Sequence, residues 1–164
     1  MKRAAPKRDE RWQFPEDERL VCLVSTYHED VTGAMLVSAL ETLAEAGVPS
    51  ESVQVVRAPG TFELPILAYH AASQFDVAAV LCFGLVLKGE TEHDRYIATA
   101  CATGLMEVGL KTEKPVLFGV LTCSTLEQAQ RRARRESEGG LDKGREVARA
   151  ALDTLAALAE IEEA

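Results

Sequence analysis

A chain of 164 residues is long enough for one domain with a real core. Its composition, 47% apolar and 27% charged, is that of a globular protein, and a net charge of −8 disfavours general binding to nucleic acid. No apolar run approaches the ~20 residues that cross a membrane, so a membrane protein is not expected.

Taken in order, the chain opens on a polar, Pro-containing segment, residues 1–18, read as an extended arm ahead of a single α/β domain over 19–164. The arm carries charges but no apolar h-region, so a secretory signal is not expected, and the cytoplasm is the expected compartment. Trp12 and Phe14 stand out in it; they either anchor the arm on a neighbouring surface or ride on a mobile tail. Leu20-Val21-Cys22-Leu23-Val24 predicts a buried strand, followed by a helix with Leu36, Ala39, Leu40 and Leu43 on one face and Gly47 as its stop. Residues 52–57 are rich in β-formers. Leu64, Leu67, Ala68 and Ala71 then share a helix face. A third strand is predicted over 77–83 and a helix over 92–111, with Ile97, Ala100, Cys101, Gly104, Leu105 and Val108 turned inward. The fourth strand is 115–121. Ser124-Thr125-Leu126-Glu127 has the form of a capping box, opening a helix that Gly139-Gly140 breaks. A last helix covers roughly 142–160.

Strands alternating with helices four times predict a four-stranded parallel sheet between helix layers, a three-layer α/β/α sandwich of flavodoxin-like type. Ligands in such sheets gather at the carboxyl ends of the strands. The cysteines at 22, 82, 101 and 123 form no C-x-x-C pair and lie in or beside apolar segments, so buried free thiols are expected, and no metal site.

The most informative stretch runs from Gly84 to Tyr96. It joins the third strand to the following helix through Lys88-Gly89-Glu90-Thr91 and puts His93 in the first helical turn. Free N–H groups and the positive end of the helix dipole favour an anion there. An imidazole beside an anion site suits acid–base catalysis. Thr91 also reads as an N-cap, with Asp94 three residues on. A P-loop is excluded because Lys88 precedes its glycine.

Three segments in the same order resemble the lumazine synthase family of riboflavin biosynthesis. They are Pro59-Gly60-Thr61-Phe62-Glu63-Leu64-Pro65, then Lys88-Gly89-Glu90-Thr91-Glu92-His93-Asp94-Arg95-Tyr96, then Pro115 to Thr122 with Leu126-Glu127-Gln128-Ala129 and Arg132. The resemblance covers about residues 18–160. It implies a cofactor-free transferase that condenses 5-amino-6-(D-ribitylamino)uracil with 3,4-dihydroxy-2-butanone 4-phosphate through an imine, phosphate loss and ring closure. It also implies pentamers, or decamers and capsids built from them, with active sites between neighbouring subunits and riboflavin synthase as a candidate partner.

On that resemblance His93 is the general acid/base, and the backbone amides of Glu90 and Thr91, the Thr91 hydroxyl and Arg132 hold phosphate. Arg132 would reach the site of the adjacent subunit, while Arg131, Arg134 and Arg135 are read as helix-surface charges. Tyr27 stacks on the pyrimidine, with Phe118 flanking it from the neighbour; a core position is the alternative for Phe118. Thr61 and Phe62 meet the uracil or ribityl chain through their amides, Glu63 accepts from ribityl hydroxyls, and Leu85, Val86 and Leu87 offer backbone groups to the pyrimidine edge. The chain departs from the family at Thr26-Tyr27-His28, where an arginine and an asparagine are common. It departs again in the longer segment 134–144, where a lysine near the phosphate has no secure match. Two other classes share such a sheet: a flavodoxin-like module that binds without turnover, and a structural homo-oligomer. Neither would need these polar groups together at strand ends.

Overall fold

The computed structural model describes residues 13–162. Four parallel strands pair in the order β2-β1-β3-β4: β1 is Arg19–Ser25, β2 Val53–Ala58, β3 Val77–Leu87 and β4 Val116–Cys123. Helices α1 (Glu29–Glu45), α2 (Leu64–Ala72), α3 (His93–Thr112), α4 (Leu126–Ala133) and α5 (Lys143–Glu162) fill the connections. The expected α/β architecture is present.

β1 and β3 are central, and almost every residue in them is buried, as continuous apolar runs require of strands covered on both faces. Their side chains alternate between two cores. Leu20, Cys22, Val24, Leu81 and Phe83 pack with Met35, Ala39 and Leu43 of α1 and with Val147, Ala151 and Leu152 of α5. Val21, Leu23, Val80 and Cys82 pack with Leu64 and Ala68 of α2 and with Cys101 and Leu105 of α3. Each fully buried aliphatic side chain contributes roughly 1.5–3 kcal/mol.

Several boundaries differ from the sequence reading. β3 continues through Leu87 instead of ending at 83. Gly84 belongs inside it, since a Cβ there would stand 2.8 Å from Thr61 Oγ1. α4 ends at Ala133, well before the glycine pair, because the amides of Leu141 and Asp142 bond to the carbonyls of Arg131 and Arg134 and turn the chain back. The cap of α4 is shifted by one residue: Thr125 Oγ1 accepts from the Gln128 amide and Gln128 Oε1 from the Ser124 amide, leaving Glu127 outside the box. On α3, Cys101, Leu105 and Val108 are buried, but Ala100 is exposed. Arg134 and Arg135 lie beyond the helix they were read on, and Arg135 pairs with Glu41 of α1 at 2.6 Å.

Most of the arm, including Trp12, lies outside the described residues. Phe14 is buried in the α1/α5 core of its own chain, which ties down the end of the arm. At the amino end of the sheet, Arg19 pairs with Asp76 at 2.7 Å and holds the start of β1 to the turn before β3. Among the described residues no helix is long and apolar enough to cross a membrane.

Candidate active site

The carboxyl ends of β1, β2 and β3 are tied into one rim by hydrogen bonds between their loops. The Thr26 amide donates to the Ala58 carbonyl at 2.9 Å, and Thr26 Oγ1 donates to the Pro59 carbonyl at 3.1 Å. Thr61, buried, donates from Oγ1 to the Leu85 carbonyl at 3.2 Å. The Lys88 amide donates to the Cys123 carbonyl at 2.9 Å, fixing the start of the Lys88–Glu92 loop beside the end of β4.

On this rim stand most of the residues named from sequence. Tyr27 is 69% exposed, its ring edge-on to His28. His28 adopts the left-handed conformation with φ 56° and precedes α1. This conformation favours Asn, Asp, His or Gly, so a histidine is compatible at this position. Thr61, Phe62 and Glu63 form a 3₁₀ turn leading into α2, rather than the first turn of α2 itself. Phe62 is exposed. With Glu63, Pro65, Ile66 and Ala100 it lines a shallow groove of about 360 Å³. Leu85 and Val86 are buried and Leu87 half-buried, so their side chains belong to the cores or their margins while their backbone runs along the rim.

His93 is the first residue of α3 and is exposed. Glu92 occupies the N-cap without a side-chain bond, so Thr91 is not the cap; its Oγ1 accepts from the His93 amide at 3.4 Å. Asp94 turns back instead, accepting from the Gly89 amide at 3.4 Å. The Glu90 and Thr91 amides, in the loop just before His93, donate to no acceptor among the described residues.

Phe118 and Arg132 lie on β4 and α4. They line a second groove, of about 560 Å³, at the free edge of β4, together with Val120, Leu121, Thr122, Leu141, Lys143 and Glu146. Phe118 is 41% exposed and belongs to neither core. Burial pushes the Cys123 thiol up while the Arg132 guanidinium pulls it down, which places that charge near the end of β4. Arg132 makes no ion pair among the described residues, whereas Lys143 pairs with Glu146 at 2.7 Å.

Tyr27 follows the central strand β1 and Phe118 lies on the edge strand β4, with β3 between them. Two strand spacings, roughly 10 Å, therefore separate the two aromatic positions.

A family model described as 6,7-dimethyl-8-ribityllumazine synthase matches residues 17–159. The chain belongs to the 6,7-dimethyl-8-ribityllumazine synthase family. The 6,7-dimethyl-8-ribityllumazine synthase 1 of Caulobacter vibrioides is 43% identical over 149 residues, spanning 91% of this chain and 95% of that protein. The 6,7-dimethyl-8-ribityllumazine synthase of Salinibacter ruber is 40% identical over 147 residues, or 90% and 92% of the two chains. That of Thermus thermophilus is 47% identical over 115 residues, or 70% and 73%. Lumazine synthases are transferases of riboflavin biosynthesis, as the sequence motifs imply.

Lys143 is the groove residue that sequence reasoning left without a role. No motif spacing points to it, since it joins Arg132 in lining the groove only through contacts between segments, the backbone bonds from Leu141 and Asp142 to Arg131 and Arg134 and the packing of α5 on α1. The lumazine synthase segment 134–144, long as it is here, folds so that Leu141 and Lys143 still border the groove.

Proposed function

We propose that this chain condenses 5-amino-6-(D-ribitylamino)uracil with 3,4-dihydroxy-2-butanone 4-phosphate, without a cofactor, at sites completed between neighbouring copies in a pentamer-based assembly in the cytoplasm. The observation that carries the reading is the division of the site residues between the loops of the rim and the groove at the β4 edge. One copy supplies the rim and its neighbour supplies the β4 groove. The pyrimidine lies between Tyr27 and the neighbour's Phe118, with its edge along the backbone of Leu85–Leu87. The ribityl chain runs past Thr61 and Phe62 to Glu63. The phosphate sits at the open amides of Glu90 and Thr91, against the neighbour's Arg132, with Lys143 as a second cation that the sequence reading did not assign. A bidentate guanidinium–phosphate contact is roughly twice as strong as neutral hydrogen bonds.

His93 stands within the same turn of chain as those amides. It takes a proton from the attacking amine and returns it to the hydroxyl that leaves as water when the imine forms, takes the C–H proton beside the imine carbon as the C–O bond to phosphate breaks, and returns it to the hydroxyl lost as water when the ring closes. Such transfers contribute about 10²–10⁴ in rate. Residues 1–18 act as the arm of the 19–164 domain, and riboflavin synthase is the partner that consumes the product.

Intersubunit complementation tests the reading. His93→Ala and Arg132→Ala are each expected to be nearly inactive alone. Co-assembled in equal amounts they regain activity, because about a quarter of randomly mixed interfaces carry both native halves. Failure to regain any activity in verified mixed oligomers would place both residues in one chain's site and overturn the shared geometry.

A further inference from the structure

Asp142 is a charged residue only 7% exposed, outside the rim and the groove, and the chemistry proposed above makes no use of it. Its Oδ1 accepts from the hydroxyl of Ser38 in α1 and from the Arg145 amide in the first turn of α5, the latter at 3.2 Å. Its backbone is left-handed, with φ 50°. A non-glycine residue holds such a conformation where its surroundings over-determine it. Here the Asp142 amide donates to the Arg134 carbonyl at 2.9 Å and the Leu141 amide to the Arg131 carbonyl at 3.0 Å. The chain leaving α4, which carries Arg132, is thereby stitched to the chain entering α5, which carries Lys143.

The other side of Lys143 is fixed as well. A Cβ on Gly144 would stand 2.1 Å from the Met35 carbonyl, so the backbone of α5 lies directly on α1, one turn before Ser38. Lys143 is bracketed: the residue before it is bonded to Ser38 and the residue after it is pressed on Met35. Glu146, its ion-pair partner, sits on the same first turn.

We propose that Asp142, through Ser38, is a positioning residue for the phosphate end of the site, holding Lys143 and Glu146 in register with Arg132 across the groove. The proposal rests on the reading of that groove as the phosphate-binding half. Ser38→Ala removes one bond, and alanine favours the interior of α1, so the fold is retained. Asp142→Ala removes both bonds. Asp142→Asn keeps an acceptor for both donors and serves as the rescue.

In the assembled enzyme, Ser38→Ala and Asp142→Ala raise KM for the butanone phosphate and the inhibition constant of inorganic phosphate about tenfold, which corresponds to roughly 1.4 kcal/mol. KM for the pyrimidine and kcat stay near native, and Asp142→Asn returns the phosphate constants to native. Amide hydrogen exchange over residues 142–146 accelerates in Ser38→Ala. Equal rises in both KM values, or a fall in melting temperature with phosphate inhibition unchanged, overturn the positioning role and leave Asp142 a helix cap. Arg132→Ala is the control: if inorganic phosphate binds it with native affinity in calorimetry, the groove reading fails and the functional half of the proposal goes with it. Native exchange rates in Ser38→Ala overturn the structural half independently.

Discussion

At the scale of single residues, position on the backbone decides more than side-chain identity. His93 occupies the first turn of α3 because the loop before it ends in a cap without side-chain bonding, leaving the Glu90 and Thr91 amides open. His93→Ala is expected to lower kcat by about 10²–10⁴ with KM for both substrates nearly unchanged, measured by steady-state absorbance of the lumazine product. An unchanged kcat would remove the imidazole from the mechanism. His28 offers a contrasting test of conformation without chemistry. Its left-handed φ of 56° suits asparagine or glycine, whereas a β-branched residue is strained by about 1–3 kcal/mol. Thermal melts should therefore rank His28→Asn near native and His28→Val clearly below it. The sequence made His93, Thr91 and Glu90 legible because a strand-loop-helix junction announces itself in apolar periodicity. It could not show that Thr91 yields the cap to Glu92, since that depends on how the Gly89–Asp94 bond closes the loop.

At the scale of elements, the central strands were readable because burial on both faces leaves no polar alternation to confuse them. The misread boundaries share a cause. Gly84 looks like a strand breaker, yet it lies within β3 because the Thr61 side chain presses on that position from the neighbouring turn. Gly139-Gly140 looks like a helix breaker, yet α4 has already ended through bonds to residues beyond the glycines. Each boundary is set by a contact between segments, which periodicity along one segment does not encode. Lys143 escaped notice for the same reason. Gly84→Ala is the corresponding prediction. Pushing Thr61 aside should cost about 1–3 kcal/mol in denaturant unfolding. It should also weaken pyrimidine binding more than phosphate inhibition, because the displaced turn carries Phe62 and Glu63. Equal effects on both ligands would separate Gly84 from the pyrimidine end.

At the scale of the whole molecule, two properties follow from burial. The cysteines at 22, 82, 101 and 123 are free and buried, and burial drives the Cys22 thiol to about 12 and the Cys101 thiol to about 11. Thiols held protonated in the folded state ionise first in the unfolded chain. Their stabilisation is therefore intact below the ordinary thiol range, about 8.5, and declines as pH rises towards 11 and 12. Chemical denaturation at stepped alkaline pH should record that decline, and replacing Cys22 with Ala should flatten it. The second property lies on the outer faces of α2 and α3, where Ile66, Tyr69, Tyr96, Met106 and Leu110 are exposed. On the proposed assembly, these side chains are the expected contacts between copies. Leu110→Glu is expected to shift mass-photometry peaks to smaller species and to abolish turnover together with assembly. Full activity in a monomeric variant would contradict the shared site.

With sites completed between copies as proposed, an isolated copy holds only half a reaction vessel. Output should then scale more steeply than linearly with protein amount when the enzyme is scarce. Dilution would silence the protein without damaging any molecule of it, and a poorly expressing cell would lose more product than its share of polypeptide suggests.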